Sequence, residues 1–278
     1  MQPIILPFAF KHLPKENLII IDARAGKDNH QKYLNKHIKG ARLIDLDKDL
    51  AEIGGDAAFG GRHPLPEIGK FAETLSRLGI SEKDHIIVYD DKNGSNAAAR
   101  AWWMLRSFGF EKVQVLDGGI QNAEKQGLEF SDGEESFEKV EVIKKENWLF
   151  PISNLEDVEN ELINHSSTVI DVRDAYRYNG ESEPIDLVAG HIPGAINIPF
   201  SENLDKSGNF LSPEKLWEKY MEFLKESPEH LIVHCGSGVT ACHTALALAY
   251  AGFPVPDLYI GSWSEWSRRE GKEIAKEI

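Results

Sequence analysis

The chain repeats itself, and the repeat is too long for a solenoid of short units. Leu18-Ile19-Ile20-Ile21-Asp22-Ala23-Arg24 matches Thr168-Val169-Ile170-Asp171-Val172-Arg173, an apolar run rich in β-branched residues that ends in Asp-x-Arg. His37 to Ile44 matches His191 to Ile198, a glycine-centred turn that enters a second strand. Ile86 to Asp90 matches Leu231 to Cys235, each a buried strand followed by a Gly-containing loop and an alanine-rich helix, Ala97 to Phe108 and Ala241 to Ala251. Val113 to Ile120 then matches Leu258 to Trp263, a further strand that ends in a glycine turn. Strand and helix alternate in both halves, which predicts two tandem α/β domains, each a mainly parallel sheet flanked by helices. Residues 131–150 are charged and follow neither period, so the expected division is a domain over 1–130, a linker over 131–150 and a domain over 151–278.

Of the 278 residues, 41% are hydrophobic and 27% charged, enough apolar side chain for two buried cores. Against 45 Asp and Glu stand 31 Lys and Arg, a net charge of −14 that disfavours a nucleic-acid backbone or an anionic membrane as partner. No run approaches the roughly 18 apolar residues a bilayer span needs, and the apolar opening Ile4 to Phe10 lacks a cationic lead-in and a small-residue cleavage site. The expected setting is cytoplasmic. The only two cysteines, Cys235 and Cys242, lack the spacing of a Cys-x-x-Cys redox or zinc pair, so no metal site is expected and at least one thiol is free to react.

Cys235 ends a buried strand and opens the loop Cys235-Gly236-Ser237-Gly238-Val239-Thr240 before a helix. That places it at the carboxyl edge of a parallel sheet, where open α/β folds bind ligands. Gly236 and Gly238 let the backbone curl so that successive N–H groups form an anion-binding nest, with the helix N-terminus behind them. Such surroundings favour a thiolate, the nucleophilic form. Ser237 and Thr240 add hydroxyls short enough to remain in the loop. Cys242, a turn into the alanine-rich helix, is expected to pack. Trp102, Trp103, Trp217, Trp263 and Trp266 are expected to pack too, since the acidic charge argues against a base-stacking surface.

On these residues the whole chain resembles a tandem rhodanese, the family of thiosulfate and 3-mercaptopyruvate sulfurtransferases. The resemblance implies an inactive first domain, with Asp90 where the second domain carries Cys235, and a persulfide-forming active loop. Its uncharged composition is similar to the mercaptopyruvate branch; the thiosulfate branch carries basic residues there. His63, in His63-Pro64-Leu65-Pro66, resembles the family histidine that reaches the active loop from the first domain, and Asp47 stands at the matching acidic position. With Ser237 they would form a hydroxyl-imidazole-carboxylate relay. Arg177 matches the arginine that holds the donor's carboxylate or sulfonate, while loop N–H groups of Gly236, Gly238, Val239 and Thr240 would line the substrate's other side. A second arginine, nine positions on in animal mercaptopyruvate enzymes, is Asp186 here; either another cation, Arg173 or His191, stands in for it or the donor differs. Gly261-Ser262-Trp263 resembles the family's turn beside the pocket. His37 and His191 recur at equivalent repeat positions, which points to a structural role.

The implied chemistry moves sulfur from a small donor through Cys235 to an acceptor such as thioredoxin, a small thiol or cyanide, with no cofactor. A cysteine phosphatase needs Cys-x5-Arg, and the residue at that spacing is Ala241. A binding or sulfur-relay module without turnover is the other alternative; an intact cysteine in a complete loop argues against it.

Overall fold

A computed structural model describes residues 1–164, 167–224 and 231–277. It comprises two compact units, one of residues 1–52, 65–149 and 207–209, the other of 53–64, 150–206 and 210–278.

The first unit carries strands β1 (Ile4–Ile5), β2 (Leu18–Asp22), β3 (His37–Ile38), β4 (Ala41–Leu43), β5 (His85–Tyr89), β6 (Val113–Leu116) and β7 (Phe130–Ser131). Its helices are α1 (Pro7–Phe10), α2 (Asn29–Asn35), α3 (Ile68–Arg77), α4 (Ala97–Phe108) and α5 (Gly119–Lys125). Five strands form a parallel sheet in the order β1-β6-β5-β2-β4. The second unit repeats the arrangement with β8 (Ile152–Ser153), β9 (Thr168–Asp171), β10 (Ile196–Asn197), β11 (Leu231–His234) and β12 (Asp257–Tyr259), in the order β10-β9-β11-β12-β8 and again parallel. Its helices are α6 (Leu155–Asn164), α7 (Ala175–Tyr178), α8 (Pro213–Leu224), α9 (Ala241–Ala251) and α10 (Ser262–Trp266).

The sheets form because Ile, Val and Leu fill both faces of their central strands, as a sheet covered on two sides requires. The β5 run Ile86–Tyr89 is fully buried, and so are Ile232 and Val233 of β11. α4 and α9 are buried on nearly every side, as helices with few polar residues must be. Each stops at a left-handed glycine, Gly109 (φ 115°) and Gly252 (φ 93°).

The repeat extends to side-chain chemistry. Asp22 takes Arg24 Nε at 3.0 Å and Nη2 at 2.6 Å, and Asp171 takes Arg173 Nε at 3.0 Å and Nη2 at 2.5 Å. Each arginine also donates to a carbonyl of the following turn, Lys36 at 2.6 Å and Gly190 at 2.7 Å. His37 and His191 play the expected structural role. Nδ1 of each is 2.8 Å from a tyrosine carbonyl, Tyr33 or Tyr178, and each ring stacks on that tyrosine.

The units depart from the sequence boundaries at residues 53–64, 131–149 and 207–209, the last grouped with the first unit. Residues 131–149 pack in the first unit, where β7 pairs with β3, Val140 N–H donates to Ser76 and Leu149 N–H to Ser107. Residues 53–64 precede α3 in the chain yet belong to the second unit, because their polar groups bond the turn around α10. The edge strands β1 and β8 escape a pattern reading, since two residues carry no period. Trp102, Trp103, Trp263 and Trp266 are buried, but Trp217 does not pack as expected: it is half exposed on the outer face of α8.

Candidate active site

Cys235 follows β11 at the carboxyl edge of its sheet and is buried, and the next five residues lead into α9. The two loop glycines have different reasons. Gly238 adopts φ 72°, a conformation L side chains resist. Gly236 does not; a Cβ there would lie 3.1 Å from Arg62 Nη2 and 3.4 Å from Arg177 Nη2, so its bareness admits two guanidiniums to the loop.

The turn after β12 holds the loop in shape. Ser262 Oγ accepts the N–H groups of Cys235 (3.2 Å) and Gly238 (3.0 Å) and donates to the Tyr259 carbonyl (2.8 Å). Ser262 does so from φ 54°, a costly backbone for a non-glycine residue. Trp263 and Ser264 N–H groups donate to the carbonyls of Cys235 (3.0 Å) and Gly236 (2.9 Å). Cys242, fully buried, directs Sγ at the Gly238 carbonyl at 3.3 Å, a packing residue that also braces the loop. Val239 is buried, and Thr240 is half-buried at the start of α9 without capping it through its side chain.

The segment 53–64 lies against the same turn. Gly60 N–H donates to Glu265 Oε1 and Arg62 N–H to Ser264 Oγ, both at 3.0 Å. Gly61, at φ 78°, is so close to the Gly261 carbonyl that a Cβ would come within 2.4 Å of its oxygen. This anchoring brings His63 Nδ1 to 2.7 Å from Ser237 Oγ. Asp47 lies in the first unit, where its N–H donates to Asp45 Oδ1 at 2.8 Å.

Arg177, on α7, gives Glu183 a fork of Nε and Nη2 bonds at 2.8–3.1 Å, and its Nη2 is 3.5 Å from Asp186. Burial works against its charge, but Glu183, then Asp186 and the Cys235 sulfur, more than offset that and hold its pKa above the usual guanidinium value. The expected stand-ins for a second arginine do not serve. Arg173 is 1% exposed, committed to Asp171, Glu183 and the Gly190 carbonyl and stacked on Trp263. His191 is buried on its tyrosine. Asp186 instead collects cations: Arg62 Nε at 3.0 Å, Arg268 Nη1 at 2.9 Å and Arg177. Arg62, Glu183 and Arg268 escaped the sequence reading, the one signal being the adjacency of Arg62 to His63; Ser262 was read as part of the turn beside the pocket, but not as the acceptor that holds the loop.

In the first unit the position of Cys235 is taken by Asp90, also buried. Its carboxylate accepts four backbone N–H groups, from Lys92, Gly94, Asn96 and Ala98, at 2.8–3.1 Å. Burial pushes its pKa up, against those four donors. A loop of this type therefore closes around an anion with its own backbone N–H groups.

The Rhodanese-like domain family matches this chain twice, over residues 9–126 and 154–269. The chain is 38% identical to a Pseudomonas aeruginosa protein named "Probable 3-mercaptopyruvate sulfurtransferase", across 95% of this chain and 94% of that one. It is 36% identical to the thiosulfate sulfurtransferase of Gallus gallus, across 87% and 82%. Among solved structures it is similar to SseA from Escherichia coli, described as a 3-mercaptopyruvate sulfotransferase, with a TM-score of 0.77, 33% identity and coverage of 95% and 100%.

Proposed function

The chain belongs to the rhodanese family of sulfurtransferases, and from that premise we propose that it moves sulfur from 3-mercaptopyruvate through a Cys235 persulfide to a thiol acceptor. The observation that carries the donor assignment is the His63–Ser237 hydrogen bond beside Cys235, a proton path that mercaptopyruvate cleavage needs and thiosulfate cleavage does not.

The Cys235 thiolate attacks the donor's thiol sulfur. An S–S bond forms, the C–S bond breaks and its electron pair leaves as the enolate of pyruvate. The donor's thiol proton, routed through Ser237 and His63, ends on the methyl carbon, and a persulfide anion stays on Cys235. By analogy with the four N–H groups that hold Asp90, those of Gly236, Val239 and Thr240 serve as donors to that anion, while Gly238 N–H, given to Ser262 Oγ, shapes the loop instead. Arg177 holds the donor's carboxylate, and Asp47 is the expected carboxylate member of the relay. The acceptor is a thiol, small or on a protein such as thioredoxin. No helix among the described residues is long and apolar enough to cross a membrane, and a cytoplasmic setting suits a chain that depends on a free thiol.

The name of the Gallus gallus relative keeps thiosulfate as the second reading. The test is sulfur transfer from 3-mercaptopyruvate and from thiosulfate, to a thiol and to cyanide, by the protein and its Cys235→Ser variant. A preference for mercaptopyruvate that vanishes in the variant supports the proposal. A preference for thiosulfate transfers the assignment to the second reading, and turnover by neither leaves a sulfur-relay module.

A further inference from the structure

We propose that Arg62 is the second cationic grip on the donor's carboxylate and that Asp186 is the tether that aims it. The proposal rests on the reading of Cys235 and Arg177 as a donor site and adds to it a residue that determines specificity.

Three observations converge on Arg62. Its Nη2 and that of Arg177 both overhang Gly236, at 3.1 and 3.4 Å from where a Cβ would stand, so two guanidiniums meet over the residue next to Cys235. Asp186 holds Arg62 by Nε at 3.0 Å and Nη2 at 3.3 Å, and its own side chain has no exposure, so it serves positioning and is unreachable by a donor. Arg62, with 26% of its side chain exposed against 10% for Arg177 and 16% for Arg268, is the cation of this cluster most open to an arriving anion.

The charge balance points the same way. Four guanidiniums, Arg62, Arg173, Arg177 and Arg268, face three carboxylates, Asp171, Glu183 and Asp186. The excess is one positive charge, shared between the Cys235 thiolate and an arriving donor carboxylate. A guanidinium has five N–H donors in a fixed fork, so the edge given to Asp186 leaves donors for a second carboxylate. Backbone anchoring at Ser264 and the close seat of Gly61 on Gly261 fix the stem from which this fork projects. The ligand class is a small α-keto carboxylate that carries a thiol next to the keto group.

The test uses Arg62→Met, Arg62→Lys and Asp186→Asn in the full chain. One readout is KM and kcat with 3-mercaptopyruvate. The other, on a Cys235→Ser background, is calorimetric binding of hydroxypyruvate, the oxygen analogue with no sulfur to transfer, and of hydroxyacetone, its uncharged counterpart. Arg62→Met is expected to raise KM and weaken hydroxypyruvate by about 10- to 100-fold, the loss of a charge-assisted bond, with kcat changed about threefold or less. Arg62→Lys falls between, because it keeps the charge and loses the fork. Asp186→Asn weakens hydroxypyruvate by about 3- to 10-fold, since it disorders the grip and leaves the cation. Hydroxyacetone discriminates: equal weakening of both ligands marks a purely structural role and overturns the proposal, as does a hydroxypyruvate change below about twofold. If the unaltered protein binds hydroxypyruvate but does not turn over mercaptopyruvate, the donor reading fails and the binding ratios still decide Arg62. If it binds no hydroxypyruvate, both fail.

Discussion

His63 Nδ1 stands 2.7 Å from the Ser237 hydroxyl, a hydrogen bond across 174 positions of sequence. Distance along the chain is overcome because residues 53–64 bond the turn that also braces the active loop. One turn thus positions the Cys235 loop and the imidazole opposite it.

If these two residues form one proton path, Ser237→Ala and His63→Gln each lower kcat with 3-mercaptopyruvate by about 100-fold or more, and the double variant is little worse than either. Steady-state kinetics with both donors check this. Thiosulfate turnover should suffer far less, because sulfite leaves as a stable anion that needs no proton on carbon. Equal losses with both donors would show that the pair does no proton work.

Gly61→Ala would push a Cβ to within 2.4 Å of the Gly261 carbonyl from a left-handed backbone. We expect a loss of about 1–3 kcal/mol in denaturant-measured stability. Catalytic efficiency should fall further than that, since Arg62 and His63 both follow Gly61. An active and fully stable variant would mean that the close seat is unimportant.

Ser262→Ala removes the acceptor of two buried N–H groups, Cys235 and Gly238, and keeps the φ of 54° that burdens a side chain. The expected cost is about 2–3 kcal/mol in the urea midpoint analysis, with lower activity because the loop loosens. Ser262→Gly, which relieves the backbone and equally lacks the hydroxyl, should be the milder of the two. The reverse order would refute a strained serine held for its hydrogen bonds.

His234 predicts a pH dependence. It is fully buried, and burial holds its pKa below the ordinary 6.5 despite Asp171 at 3.8 Å. The unfolded chain takes up a proton below about pH 6.5 while the native imidazole stays neutral, so the stabilisation is complete above that value and is lost as pH falls through it. Denaturation midpoints should therefore decline as pH falls below about 6.5. His234→Asn should flatten the profile; an unchanged slope would locate the titration elsewhere.

The sequence was informative wherever side-chain type and local order suffice. Parallel strands, the buried helices α4 and α9, Cys235 after β11 and the paired Asp-x-Arg motifs were all legible, because β-branched runs, alanine-rich helices and glycine turns state their conformation within about ten residues. The structural role of His37 and His191 was legible for the same reason, through the repeat.

What the sequence could not reveal were partnerships between distant segments. It left open what Asp186 pairs with; the fold answers by bringing Arg62 to it across 124 positions. It could not tell that Gly236 is bare to admit guanidiniums whereas Gly238 is bare for its φ, or that Arg173 is consumed by Asp171. Local conformation follows from steric and hydrogen-bonding rules along the chain, so the sequence determined the duplicated α/β fold and the place of Cys235 at the end of β11. Which charges meet, and which remain open to a ligand, depends on the contacts of residues 53–64 with a turn some 200 positions away, and only the tertiary structure decides that.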